Sequence, residues 1–266
     1  MPTPSPARMH DFTVVSNEPL ADGVFSLVIE APRLASALQP GQFVNIRVPG
    51  NAMSLLRIPL SYASADPAAG TVEIWYAVVG DGTARMSKWT PGFKGDLLGP
   101  GGHGWCAPEG CRRALLVGGG IGVPPVLCLG RDLAARGVPF DACIGAATAG
   151  KLVGASEFAE AGCGVLRVCT DDGSGEGAHH GFVTDPVAEL LASGEYDYVA
   201  TCGPAPMMKR VADLAADHGV FCEASLERMM SCGFGACSTC NVETVEGMKG
   251  ACMCGPVFDA TKVVAW

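Results

Sequence analysis

The sequence has little charge, and little of that is positive: charged residues make up 17% of 266 positions, with 18 Lys and Arg against 27 Asp and Glu and a formal net charge of -9. A nucleic-acid surface needs a basic face to neutralise phosphates, so this balance excludes that class. The opening, MPTPSPARMHDF, lacks the apolar stretch between a basic start and a cleavage site that a secretory leader requires, and a cytoplasmic setting is expected. Long apolar runs are also missing. The nearest, ALLVGGGIGVPPVLCLG over 114–130, is short for a membrane span and is broken by three consecutive glycines and paired prolines. The sequence also lacks an even complement of cysteines. Thirteen thiols cannot all pair, and a reducing compartment does not sustain a disulfide framework.

Hydrophobic residues supply 48% of the chain, enough for folded structure throughout, and 266 residues is long for one core and comfortable for two or three modules. From Met9 to Leu98, short runs such as FTVVSN, GVFSLVIEA, QFVNIRV and TVEIWYAVV alternate apolar and polar residues between Gly, Pro, Asp and Asn. This pattern predicts antiparallel strands, and several at close spacing predict a small barrel. After Cys111 the pattern changes. RRALLVGGG, FDACIGAA, GVLRVCTDD and DYVATCG read as buried strands, while PPVLCLGRDLAARG, DPVAELLASG and PAPMMKRVADLAADHG read as helices, which implies a parallel, helix-covered sheet. From Glu223 onward no long periodic segment remains, so a metal centre is a natural organiser of the last part. The expected architecture is multi-domain: an antiparallel β-barrel over 1–108, a parallel-sheet α/β domain over 109–222 and a small cysteine-rich module over 223–266.

Three motifs carry chemistry. ALLVGGGIGVPPVL is a strand, a glycine turn and a helix start. Gly119, Gly120 and Gly122 let backbone N–H groups approach a pyrophosphate, and Pro125 stands where the usual dinucleotide fingerprint has its third glycine. Taken alone, such a turn is as readily a tight turn and nothing more. Cys202-Gly203-Pro204 ends another strand at the carboxyl edge of the same sheet, where α/β ligands bind; a buried small residue is the plainer reading of Cys202. Cys232, Cys237 and Cys240 form C-x4-C-x2-C, and Cys252 follows twelve positions later. That spacing suits a plant-type [2Fe-2S] centre. A structural zinc site prefers two C-x2-C pairs, of which only one is present, and zinc stays open as the alternative. Cys128, Cys143 and Cys169 lie in apolar segments and read as inert small hydrophobes, and His103, His179 and His180 read as loop residues.

In order and spacing, GDGTARMSK, LGPGGHGW, LLVGGGIGVPP, TDDGSGEGAHHGFVTD, CGPAPMM and ERMMSCGFGACSTC followed by CMCGPVF resemble the ferredoxin reductase superfamily. Within it they most resemble the electron-transfer subunits of NAD-linked dihydroorotate dehydrogenases, and the resemblance covers nearly the whole chain. It implies an FAD-binding barrel, a nicotinamide domain and a [2Fe-2S] module that together relay electrons between NAD and an FMN-containing catalytic subunit in pyrimidine biosynthesis, within a heterotetramer.

By the same resemblance, the FAD site is Arg57, Pro59, Leu60 and Ser61, then Trp75, Tyr76 and Ala77, then Gly82 and Thr83. The family arginine directly precedes the proline, whereas here Ile58 does and Arg57 stands one place earlier. RIPL is closer to a related family, the small flavin subunit of NADH-dependent ferredoxin:NADP reductases, which keeps open a reductase subunit serving ferredoxin or another partner. The NAD residues are Gly119, Gly120, Gly122, Pro125, Asp171, Cys202, Gly203 and Pro204. Only Lys151 is placed to meet a 2'-phosphate, and Asp171 and Asp172 favour NAD. Cys202 packs beside the nicotinamide without being an essential catalytic group. The family's last cluster ligand stands three residues before Gly-Pro-Val-Phe, which selects Cys252 over Cys254.

Overall fold

The structure, a computed structural model, describes residues 7–50 and 55–266; the first six residues of the MPTPSPARMHDF opening lie outside the described residues. The N-terminal strands are β1 (Arg8–Ala21), β2 (Val24–Glu30), β3 (Phe43–Ile46), β4 (Ile58–Ser61), β5 (Ser64–Asp66), β6 (Thr71–Ala77) and β7 (Lys94–Gly101), with short helices α1 (Pro32–Ala35) and α2 (Asp81–Met86) between them. They form one antiparallel sheet in the order β4-β3-β7-β1-β2-β6-β5. The expected barrel is therefore a curled sheet. Its end strands β4 and β5 share no ladder among the described residues, although β4 bends over toward β6. Curling lets Leu27, Ile29, Val44, Ile46, Ile74, Tyr76 and Leu97 share one core.

The second layer runs β8 (Ala114–Gly119), α3 (Val123–Ala135), β9 (Phe140–Ala146), α4 (Ala155–Glu160), β10 (Leu166–Thr170), β11 (His179–His180), α5 (Thr184–Leu191), β12 (Tyr198–Cys202), α6 (Ala205–Asp217) and β13 (Phe221–Ser225). The remaining elements are the hairpin β14 (Asn241–Thr244) and β15 (Gly247–Gly250), helix α7 (Ala251–Cys254) and β16 (Val257–Asp259). The second sheet has the order β11-β10-β9-β8-β12-β13-β16, parallel except for β16, which runs antiparallel to β13. Successive residues of its central strands enter opposite cores: Leu116, Ala142, Ile144 and Ala200 on one side, Leu115, Val117, Cys143 and Val199 on the other. Burial on both faces explains why these strands read as continuous apolar runs and not as alternation. The position 222/223 falls inside β13, and β16 returns from the cysteine-rich segment to complete the same sheet.

The two sheets share a packed seam. Trp75 of β6 joins the core of the α/β layer, and Cys128 of α3 joins that of the curled sheet. Arg131 Nη1 donates to the carbonyl of Ala63 at 2.9 Å, and the Asp22 N–H donates to the carbonyl of Gly150 at 2.8 Å.

One buried charge ties the far end of the parallel sheet. Asp141 of β9 is fully buried and accepts from Arg113 Nε at 2.8 Å, Tyr196 OH at 2.7 Å and Val165 N–H at 2.6 Å. Burial pushes its carboxyl up, but Arg113, Tyr196 and Val165 outweigh burial and hold it below the ordinary aspartate value. Since the folded pKa is the lower one, this stabilisation is present in full above the unfolded aspartate value of about 3.9 and is lost as pH falls through the depressed one. Asp141→Ala strands three donors, and thermal or urea unfolding at neutral pH is expected to show a loss of about 3 kcal/mol. The wild-type advantage should shrink as the pH falls below 4.

Candidate functional site

β8 and β12 lie side by side and parallel, with Gly118 opposite Cys202, so the glycine turn and Cys202-Gly203-Pro204 leave the sheet at the same carboxyl edge. They touch. A Cβ on Gly122 would stand 2.5 Å from the Cys202 carbonyl carbon and 2.6 Å from Gly203 N, so only glycine lets the turn pass β12 this closely. Gly119 packs on Pro204 and Met207. Pro124 and Pro125 occupy the first turn of α3, where a missing N–H costs nothing, and Trp105 Nε1 donates to the carbonyl of Pro125 at 2.9 Å.

The loops after β9 and β10 complete this edge. The Ala149 N–H donates to Ser174 Oγ at 2.8 Å, and Ser174 Oγ donates to Asp172 Oδ1 at 2.6 Å, which holds the Asp172 carboxyl below its usual range. Asp171 and Lys151 are exposed beside them. The arrangement is a backbone cradle open to an elongated phosphate-bearing ligand, with acidic side chains along its outer part. Cys202 is buried, and burial pushes its thiol up to about 12, so it stays a neutral packing group.

The proposed flavin residues separate into two groups. On the edge strand β4, Ile58 and Leu60 turn into the core, while Pro59 and Ser61 face out opposite Asn45 and Phe43 of β3. The free edge of β4 leaves backbone donors and acceptors for a planar polar ligand, and an edge tolerates Pro59. α2 starts against this strand, with Gly82 on Ile58 and with Thr83 Oγ1 accepting from Val79 N–H at 3.0 Å and Gly80 N–H at 3.2 Å. Arg57, at the head of β4, is committed to Asp96: Nη2 lies 2.5 Å from Oδ1 and Nη1 donates to the carbonyl at 3.3 Å. The aromatic pair sits elsewhere. Tyr76 is fully buried in the core and donates to Asn17 Oδ1 at 3.0 Å, and Trp75 is buried in the seam with Nε1 donating to Glu73 at 2.8 Å. Neither ring offers a surface to a cofactor; the half-buried Ala77 ends their strand.

The four predicted thiols stand as two pairs, of which Cys240 and Cys252 pack in one core with Phe43 of β3. The thiol of Cys237 reaches the side chain of Cys232, and that of Cys252 reaches Cys240. Ala236 N–H donates to Cys232 Sγ at 3.2 Å, Thr239 Oγ1 to Cys237 Sγ at 3.2 Å, and Cys252 N–H to Cys240 Sγ at 3.4 Å. Hydrogen bonds led by the Thr239 side chain, with Cys232 beside it, lower Cys237 to about 6, whereas burial raises Cys252 to about 12. Among the described residues no three Cys, His, Asp or Glu side chains form a single-ion shell. The donor set is two pairs, which fits two metal ions with two thiolates each. Cys252 is buried against Cys240, while Cys254 is exposed. Of the three histidines, His103 follows the chain past Gly255, its N–H donating to that carbonyl at 2.6 Å, and His179 and His180 are exposed on β11.

A family model described as the iron-sulfur cluster binding domain of dihydroorotate dehydrogenase B matches residues 227–264, which include all four thiols. The dihydroorotate dehydrogenase B (NAD(+)) electron transfer subunit of Geobacillus thermodenitrificans is 42% identical over 258 residues, 95% of this chain and 97% of that protein. The chain belongs to this family of electron transfer subunits. The subunit from Streptococcus pneumoniae is 36% identical over 262 residues, covering 97% of this chain and 99% of its own. Among solved structures, that of an NADH-dependent reduced ferredoxin-NADP oxidoreductase superposes with a TM-score of 0.86 at 31% identity, covering 99% of this chain and 91% of that one. A ferredoxin reductase of carbazole 1,9a-dioxygenase, at 22% identity and TM-score 0.68, shares the fold. No helix among the described residues is long and apolar enough to cross a membrane.

For this member of the electron transfer subunit family, the motif reading missed Phe43 and Asn45, which join β3 to the cysteine module. The signal available was QFVNIRV itself. A strand with apolar residues on both phases has both faces covered. At the glycine edge, Gly122→Ala is expected to push α3 away from β12 and weaken nicotinamide dinucleotide binding about tenfold or more, measured by equilibrium titration, with flavin and iron content unchanged.

Proposed function

We propose that this chain relays electrons between NAD and a catalytic subunit that oxidises dihydroorotate to orotate in pyrimidine synthesis, from the cytoplasm and within a heterotetramer whose partner carries FMN. The observation that supports this reading is the pairing of β3 with β4: Phe43 and Asn45 stand opposite Ser61 and Pro59 of the proposed flavin strand, and Phe43 shares a core with Cys240 and Cys252. In this reading FAD occupies the free edge of β4 and the start of α2, NAD the cradle of Gly119, Gly120, Gly122 and Gly203 with Asp171 toward its ribose, and a [2Fe-2S] centre Cys232, Cys237, Cys240 and Cys252. The working division is a flavin module to residue 108, a nicotinamide module to 222 and a cluster module beyond.

A nicotinamide exchanges hydride, an iron-sulfur centre single electrons, and a flavin either, which is why the flavin site belongs between the other two. The chain's own residues position and shield. Gly122 and Gly203 bring backbone to the dinucleotide, Phe43 excludes water between β3 and the thiols, and neutral Cys202 packs without titrating. The surface beside the thiols suits a protein partner: Met229, Phe234 and Met253 are exposed next to Cys237 and Cys254.

The superposition on a ferredoxin-NADP oxidoreductase supports a second reading, in which the same module serves ferredoxin. Co-purification with a dihydroorotate-oxidising subunit, followed by assay of dihydroorotate-dependent NAD+ reduction, separates the two. Activity is expected, and an inactive, cofactor-complete complex would count against the pyrimidine role. Cys237→Ser is expected to abolish the iron-sulfur absorption and the electron paramagnetic resonance signal while flavin stays bound; retention of full iron content would remove Cys237 from the ligand set.

A further inference from the structure

β3 buries all four of its residues, but for different reasons on its two sides. Val44 and Ile46 enter the core of the curled sheet, while Phe43 enters the core of the cysteine module with Met230, Cys240 and Cys252. Asn45 shares the outward phase with Phe43. The residue is 3% exposed, and among the described residues its Nδ2 is a buried donor without a hydrogen-bond partner. Native structures seldom leave a buried amide N–H unsatisfied, because desolvation is then uncompensated.

The direction of that donor is set by its neighbour. Gly233, the residue after Cys232, has φ +75°, and a Cβ there would lie 2.9 Å from Asn45 Cγ and would collide with Nδ2. The amide is thus pressed against the backbone of the Cys232–Cys237 loop, and the loop's own glycine makes room for it. Three donors of the module already point at sulfur: Ala236 N–H at Cys232, Thr239 Oγ1 at Cys237 and Cys252 N–H at Cys240. Among the described residues no protein acceptor is present for Asn45 Nδ2.

We propose that Asn45 Nδ2 donates a hydrogen bond to a sulfur of the centre held on the Cys232–Cys237 loop, and that it raises the reduction potential of that centre. The inference rests on the iron-sulfur reading above. One-electron reduction adds a negative charge to the centre, and a donor aimed at its sulfur stabilises the more negative state; hydrogen bonds to sulfur are among the terms that set such potentials. The side chain stands opposite Pro59 of the flavin strand, so the donor lies at the junction where the outlet must match the flavin.

The test is a redox titration of the full chain carrying flavin and iron, followed by electron paramagnetic resonance of the reduced centre. At fixed ambient potential, Asn45→Leu is expected to lower the reduced-to-oxidised ratio about tenfold, which for a one-electron couple is a midpoint shift of about 59 mV, with the flavin couple unmoved. Asn45→Ala, which only removes atoms, carries the same expectation if the leucine variant fails to fold. An unshifted centre in an iron-replete variant, a shift confined to the flavin, or loss of iron from both variants would overturn the proposal, the last in favour of a purely structural role. Absence of iron and acid-labile sulfide from the unmutated protein would instead sink the iron-sulfur reading itself.

Discussion

The constraint on which the rest depends is that β3 has no solvent face. A four-residue strand that buries Val44 and Ile46 on one side and Phe43 and Asn45 on the other must be covered twice, once by the curled sheet and once by the cysteine module. Full burial of each large apolar side chain is worth about 1.5–3 kcal/mol, so Val44 and Ile46 favour cover by the curled sheet and Phe43 opposes separation of the module. The cysteine module does not close its core with its own residues alone. It borrows Phe43 from β3 and Met208 and Ala224 from the α/β layer, and its strand β16 is paired to β13. The cysteine module is therefore held to both layers by packing and strand pairing.

Two kinds of contact follow from this placement. At the carboxyl edge of the parallel sheet, glycines bring two loops to backbone contact and leave a cradle lined by N–H groups. At β3, Phe43 packs against Cys240 and Cys252 in a closed core. The first arrangement suits a charged, exchangeable ligand that must enter and leave. The second suits fixed groups whose separation must not vary, since electron passage between them depends on distance and on a dry surround. The fold assigns flexible chemistry to its open edge and rigid chemistry to its packed seam.

Much of this was legible in the sequence, and the exceptions have a common cause. Strands and helices of the α/β layer were readable because their periodicity is local: PPVLCLGRDLAARG yields α3 and PAPMMKRVADLAADHG yields α6 within a residue or two. β16 was not, since three residues carry no period and its strand character comes only from pairing with β13. The barrel expectation became a curled sheet because alternation counts strands and says nothing of whether the end strands meet. The aromatic pair Trp75 and Tyr76 was placed at the flavin by resemblance, yet the pleat turns Tyr76 into one core and Trp75 into the other. A strand pattern gives the two faces, not what lies against each.

Asn45 shows the same limit from the opposite side. In QFVNIRV the asparagine shares its phase with Phe43, so the local pattern marks both faces as covered but does not say what lies against Asn45. What covers it comes from nearly two hundred residues away, where SCGFGACSTC folds back with Gly233 against the amide. The thiol spacing was readable because a cluster demands it locally; the environment that tunes those thiols is assembled from distant strands and was not. The donor set of a redox site is therefore written in its motif, while the groups that adjust its potential are written in whichever strand the motif packs upon. In this chain that strand is β3, and its one buried polar side chain is the natural place for the adjustment to be made.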